Sequence, residues 1–345
     1  MRLNRRAWFA LAGGGAVATA LAARHVAFAR QPGLLQAPTP IEVRSTPIAS
    51  FGLGEGDGNR FGALVFRTGA VLRSANPSFG GFSSLWRSPD GESIVAVSDA
   101  GVWLTADVVA HEDGRFAGLK DARLAPVIGP DGVPVGEGKA YDTEGLAIAD
   151  GVAYVGVERV HEVMRFDWAR SGVLARGTYM PFPPGKQWLP GNKSFEAVAV
   201  ATKTSALAGG VVAVAERARP GAAVPTHGYI LTGPGRGRFS VARSEDFEIT
   251  DLAFLPSGEA LLLERRFTVL TGVAIRLRRL APDAIHPGAL VDGPVIFEAD
   301  AGYQIDNMEG LAVHREGEAT ILTLISDDNF SMLQRNLVLE FELVG

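Results

Sequence analysis

A chain of 345 residues with 47% hydrophobic content, 42 Gly and 20 Pro has ample material for a large core. Its formal net charge of −5 argues against nucleic acid as a partner, because phosphate backbones are met by clustered Lys and Arg. The absence of cysteine excludes disulfides, a thiolate nucleophile and a Cys-ligated metal.

At the N-terminus, Arg5-Arg6 stands directly before an apolar stretch from Ala7 to Ala23, and Ala27-Phe28-Ala29 offers small residues where a signal peptidase reads. The pattern predicts a twin-arginine signal peptide over residues 1–29, cleaved near Ala29. The competing reading is a retained anchor, and this stretch is barely long enough to span a bilayer. Cleavage removes Arg2, Arg5, Arg6 and Arg24 and no acid, so the formal charge moves from −5 to −9 (−5 − 4). A periplasmic or extracellular monomer with no stable membrane span is expected.

Residues 30–60 are rich in Pro and Gly and predict a linker that joins the body near Phe61. Residues 63–73 predict a hairpin around Thr68-Gly69. Beyond it one phrase returns in altered spellings. Its clearest form is Asp142-Thr143-Glu144-Gly145-Leu146-Ala147-Ile148, followed by Tyr154-Val155-Gly156-Val157-Glu158-Arg159. It recurs as Phe195-Glu196-Ala197-Val198-Ala199 with Val214-Ala215-Glu216-Arg217, and as Ile249-Thr250-Asp251-Leu252-Ala253 with Leu262-Leu263-Glu264-Arg265. The last copy is Asn307-Met308-Glu309-Gly310-Leu311-Ala312, ending in Ser326-Asp327-Asp328-Asn329; the earliest is Phe82-Ser83-Ser84-Leu85, leading to Ser98-Asp99.

Aligned on Leu85, Leu146, Val198, Leu252 and Leu311, the copies are spaced by 61, 52, 54 and 59 residues. Each contains short apolar runs parted by turns such as Asp150-Gly151 and Pro256-Ser257-Gly258, and no stretch after the signal keeps helical periodicity. Such an array predicts an all-β fold, a single β-propeller with five readable four-stranded blades over residues 61–345. The fifth unit shows three strands, so the hairpin at 63–73 is expected to supply the fourth and close the ring. A sixth blade fits only if residues 40–80 contribute more, and an open β-sandwich array is the alternative.

If the repeated phrase forms the innermost strand, its start and the end of the antiparallel second strand share one mouth of the ring. That places Glu144 with Glu158-Arg159, Glu196 with Glu216-Arg217, Asp251 with Glu264-Arg265, Glu309 with Asp327-Asp328, and Ser83-Ser84 with Asp99. Asp251 stands where other copies have Gly, one residue out of register. Glu144, Glu196, Asp251 and Glu309 are the candidate catalytic residues. Glu144, Glu196, Glu309, Asp327 and Asp99 are the candidate metal ligands, and an oxygen-only donor set suits a divalent cation, Ca²⁺ first. Arg159, Arg217 and Arg265, with Lys193 beside them, are the candidate groups for an anionic ester substrate. Against this stands the reading in which Glu-Arg pairs at strand ends are structural ion pairs.

Other catalytic motifs are missing: there is no Gly-x-Ser-x-Gly and no Ser-x-x-Lys. His111, His161, His227, His286 and His314 show no metal-binding spacing, and residues 233–238 read as a hairpin loop, lacking the end of a phosphate loop.

The succession Gly81-Phe82-Ser83-Ser84-Leu85, Glu144-Gly145-Leu146-Ala147, Phe195-Glu196-Ala197-Val198-Ala199, Thr250-Asp251-Leu252-Ala253, Leu263-Glu264-Arg265-Arg266-Phe267 and Asn307-Met308-Glu309-Gly310-Leu311-Ala312 resembles the bacterial phytase-like family. The closing Ser326-Asp327-Asp328-Asn329-Phe330 with Gln334-Arg335 is its most specific piece. The resemblance covers roughly residues 61–345. It implies an exported β-propeller and a hydrolase of the esterase or phosphoesterase type, and it carries no assigned catalytic residue. A ligand-binding propeller of the cell envelope and a lactonase-type propeller are the alternatives.

Overall fold

Short apolar runs with polar turns cannot bury two faces alone, and here they stack as five sheets around an axis, antiparallel except where the short Leu290–Val291 pairs parallel to the outer edge of the third. The computed structural model describes residues 32–54, 58–137, 142–185, 189, 193–217 and 224–345; the expected signal peptide lies outside them.

From the axis outward, blade 1 contains Phe82–Arg87, Ser93–Ser98, Val102–Ala110 and Phe116–Pro126. Blade 2 contains Thr143–Ala149, Val152–Val157, Glu162–Asp167 and the short Thr178–Tyr179. Blade 3 contains Phe195–Val200, Val211–Ala215, Thr226–Ile230 and Gly237–Val241, and blade 4 contains Glu248–Phe254, Ala260–Thr268, Gly272–Leu280 and Val295–Ala299. In blade 5, Asn307–Glu316, Ala319–Asp327 and Asn336–Leu343 are completed by Leu64–Arg73 from before blade 1. The chain is therefore a five-bladed β-propeller. One four-residue α-helix, Trp168–Ser171, stands among the described residues.

The ring closes by strand pairing, as expected, though not with a hairpin around Thr68-Gly69. Leu64–Arg73 is one strand, with Gly69 opposite Leu339 on one side and Ile48 on the other. Its only irregularity is a register shift near Arg67, a bulge in place of a turn. The tight reversal lies earlier, where Phe61 pairs with Leu64. The Pro/Gly-rich approach also joins the body: Thr39–Pro40 pairs with blade 1 and Arg44–Ile48 with blade 5. Phe51 is buried, within 5.8 Å ring-to-ring of Phe66, Phe297, Tyr303 and Phe341.

Apolar side chains gather in five clusters, one at each blade boundary. Leu261, Leu263 and Leu277 of blade 4 meet Leu322, Leu324 and Leu339 of blade 5; Leu85 and Leu104 of blade 1 meet Ile325 and Val338. The other three boundaries repeat the pattern. Each Leu, Val, Ile or Phe so placed stabilises the ring by about 1.5–3 kcal/mol. The innermost strands also approach one another closely. A Cβ on Gly145 would lie 2.5 Å from the Val198 amide nitrogen in blade 3, which is why this register position takes small residues: Ser84, Gly145, Ala197 and Gly310.

Candidate functional site at the ring mouth

All five innermost strands carry a bulge at the same place. Ser83, Glu144, Glu196, Thr250 and Glu309 lie in register shifts between Phe82 and Ser84, Thr143 and Leu146, Phe195 and Ala197, Ile249 and Asp251, and Met308 and Gly310. A bulge re-aims its extra side chain. The second strands end there with Asp99, Glu158, Glu216, Arg265 and Asp327, and Asp142, Ser194, Glu248 and Asn307 stand just before the bulges of blades 2 to 5. At the second-strand ends four blades thus deliver a carboxylate to one mouth and blade 4 an arginine, while Glu248 supplies blade 4's carboxylate from its first strand.

The expected gathering of Glu144, Glu196, Glu309, Asp99 and Asp327 is present. Burial, then repulsion from Glu196, Asp142, Glu309 and Asp99, pushes the Glu144 carboxyl well above its ordinary value. Burial and the neighbouring acids do the same to Glu196 and Asp327. Asp99 is raised to about 7 by burial and by Asp142 and Glu309. Glu216 is raised to about 8 by burial and by its hydrogen bond with Glu248, against the pull of Lys193. Glu158 and Glu309 are raised as well, chiefly by burial.

Two trios bring carboxylate oxygens within 4.8 Å of one another: Asp142, Glu144 and Glu158, and Glu158, Glu196 and Glu216. Their donors are hard oxygens, buried except for the half-buried Asp142, and mutually repelling, and among the described residues no basic side chain lies within 4.0 Å of Glu144. This fits a divalent cation such as Ca²⁺. Glu309, Asp327 and Asp99 stand outside both trios. Glu309 Oε1 accepts from Asn307 Nδ2 at 2.8 Å, and Asp327 Oδ2 accepts from the same nitrogen at 3.3 Å.

The basic residues separate by depth. Arg265 is in the mouth, 3.3 Å from Glu309 and 3.8 Å from Glu216. Lys193 Nζ lies 2.8 Å from Glu216 and 3.9 Å from Glu248. Arg159 and Arg217 sit at the rim, with side chains 52% and 37% exposed, held by Asp142 at 3.1 Å and Glu248 at 2.9 Å.

Two expected partners are elsewhere. Glu264 does not join the mouth: successive strand residues face opposite sides, and the residue in register with Glu158 and Glu216 is Arg265. Glu264 is fully buried and bound by Arg276 at 2.7 Å and Arg278 at 2.8 Å, a structural ion pair. Asp251 lies one residue deeper than the bulge. Its Oδ2 accepts from the Leu311 amide at 2.8 Å in blade 5 and from Ser84 Oγ at 3.0 Å in blade 1, and its Oδ1 accepts from the Leu252 amide. Blades 4 and 1 are not neighbours in the ring, so Asp251 crosses the axis and separates the acidic mouth from the far end. There a funnel of about 160 Å³ is lined by Trp86, Arg87, Ile148, Val200, Phe254 and Val313.

Asp142, Ser194, Glu248 and Asn307 were not predicted as site residues. Their signal was a repeat position four residues before the aligned Leu146, Val198, Leu252 and Leu311, whose chemistry changes from blade to blade.

The family described as phytase-like, esterase-like activity of phytase, matches residues 77–330 of this chain. A comparison with curated proteins gives no match. Among solved structures, the PQQ-bound aldose sugar dehydrogenase of Streptomyces coelicolor aligns over 89% of this chain and 99% of its own, with 13% identity and a TM-score of 0.38.

Proposed function

Since the chain belongs to the phytase-like family, we propose that it is a hydrolase acting on an ester, a phosphate ester first, with a divalent cation held at the acidic mouth. One observation carries the reading: the half-buried Asp142 and the buried Glu144 and Glu158 converge with their oxygens within 4.8 Å, in the same mouth where Arg265 lies 3.3 Å from Glu309. Asp142, Glu144 and Glu158 would hold the cation, Ca²⁺ by donor chemistry, which when bound would supply Lewis-acid polarisation of a carbonyl or phosphoryl oxygen and a more acidic water.

The chain's own groups do the rest. Arg265 presents a planar guanidinium to an anionic oxygen of the substrate. Glu309, oriented by Asn307 at 2.8 Å, takes the proton of the attacking water on its carboxylate and returns it to the leaving alcohol. Glu196 supplies a second buried carboxyl for proton transfer. Arg159 and Arg217 draw anions toward the rim. Asp251, closing the axis beneath the mouth, keeps bulk water from arriving through the ring.

Metal content of the purified mature protein, paired with turnover of p-nitrophenyl phosphate and p-nitrophenyl acetate before and after EDTA, tests the reading. Stoichiometric Ca²⁺ with turnover that EDTA abolishes is the expected result. Metal without turnover moves the protein to the ligand-binding class, and neither one removes the proposal. The same reading includes export by the twin-arginine route, with residues 1–29 as signal. Intact mass of protein recovered from the cell envelope tests it, an N-terminus near Arg30 being expected.

A further inference from the structure

The second carboxylate trio differs from the first in the cation it meets: the first has only the half-exposed rim guanidinium of Arg159, 3.1 Å from Asp142, whereas the second has the ammonium of Lys193, 28% exposed, against the buried Glu216. Glu158, Glu196 and Glu216 bring their oxygens within 4.8 Å of one another, as a metal site would. Lys193 Nζ lies 2.8 Å from both Glu216 Oε1 and Oε2.

A separate observation points to a ligand position at the same place. Ser194 is fully buried, and its hydroxyl has no hydrogen-bond partner. Its backbone is tied to all three acids: its amide donates to Glu158 Oε1 at 3.1 Å, and its carbonyl accepts from the amides of Glu196 at 3.0 Å and Glu216 at 2.8 Å. In blade 5 the residue at this register position is Asn307, whose side chain donates to both carboxylates of its own blade, Glu309 and Asp327. Ser194 holds the same register position between Glu196 and Glu216, with its hydroxyl hydrogen-bonded to neither. A buried hydroxyl left without a partner is costly, and an oxygen donor beside three carboxylates suits a hard cation.

We propose that Glu158, Glu196, Glu216 and Ser194 form a second, latent divalent-cation site, and that Lys193 occupies it as a built-in cation in place of a metal. The inference rests on the cation proposed above for the first trio. Because Glu158 belongs to both trios, two divalent ions would repel each other across one shared carboxylate. An ammonium in the second position halves that repulsion while still compensating the acids. A lysine is suited to the place, as a compact point charge with three donors. Lys193 therefore sets the metal stoichiometry of the mouth, and its role is to limit the metal load.

The test is Ca²⁺ content by elemental analysis of the full chain, equilibrated with Ca²⁺ and freed of excess by gel filtration. Wild type is expected to hold about one ion per chain, Lys193→Met about two, and Lys193→Arg about one. Adding Ser194→Ala to Lys193→Met should weaken the second ion about tenfold. A folded Lys193→Met protein with the wild-type content overturns the proposal. Thermal melts of Lys193→Gln supply an independent readout: a larger Ca²⁺-dependent rise in Tm than in wild type is expected, and an equal rise overturns the proposal. Wild type without metal would sink the first-trio reading alone, since an increment of one ion on removing Lys193 still reports the second site.

Discussion

Arg265 reaches 3.3 Å from Glu309 across the boundary of blades 4 and 5, from the register position that carboxylates hold in the other four blades. One substitution in the repeat therefore places a fixed positive charge in an otherwise acidic mouth. Arg265→Met is expected to lower kcat/KM for p-nitrophenyl phosphate by about 10- to 100-fold, the range for a lost hydrogen bond to a charged group. The neutral acetate ester should lose much less. Equal losses on both substrates would show that Arg265 acts on the folding of the mouth and has no part in anion recognition.

Glu144 and Glu264 make a contrasting pair. Glu144→Gln removes one of three donors from the first trio and should weaken cation binding at least about tenfold, read by calorimetric titration with Ca²⁺. Glu264→Gln strands Arg276 and Arg278, so it should cost about 3–5 kcal/mol in denaturant unfolding while leaving metal content unchanged.

The mouth gives the metal-free protein an unusual pH response. Asp99 and Glu216 titrate in the folded state near 7 and 8, above their ordinary values of 3.8 and 4.5. A raised carboxyl favours the folded state at low pH, and the advantage is lost as pH rises through the folded value. In EDTA, Tm is therefore expected to fall from about pH 5 to about pH 8. Ca²⁺ should flatten that slope, because it stabilises the ionised carboxylates. Melts at matched ionic strength check both arms, and a Tm that climbs with pH in EDTA would contradict the assignment.

Asp251 should behave as a keystone. Asp251→Ala leaves the amides of Leu311 and Leu252 and the hydroxyl of Ser84 without their acceptor. At about 1–3 kcal/mol for each buried group left unsatisfied, the loss should reach about 3 kcal/mol or more. Chemical denaturation measures it, and Ca²⁺ stoichiometry in the folded variant should equal that of wild type.

Much of this was legible in the chain because a propeller writes its period into its sequence. Leu85, Leu146, Val198, Leu252 and Leu311 mark equivalent inner-strand positions, and the turns between runs marked the strands. The mouth could be located because antiparallel pairing fixes which strand ends meet. The register within blade 4 could not be read. A bulge inserts one residue, so Glu264 and Arg265 compete for the place of Glu216, and only pairing of Ile249 with Glu264 and of Asp251 with Leu263 decides it. Thr68-Gly69 misled in the same manner, since a glycine inside a strand and a glycine in a turn are spelled alike. Ser194 and Asn307 carried no recognisable chemistry until their shared position showed it.

Leu64–Arg73 pairs with Asn336–Leu343, so the last sheet joins segments from opposite ends of the fold. Contacts of such separation form late and slowly, because a long loop must close before they repay its entropy. Until they form, the gap in the ring leaves Glu309 and Asp327 apart from Glu144 and Asp99, in water, where like charges disturb one another little. Closure is the event that dehydrates and crowds the acids. Asp142, Glu144 and Glu158 all stand in blade 2, so a nascent ring that has not shut should already take up the metal, and closure then adds Glu309 and Asp99 to the charges that Glu144 feels.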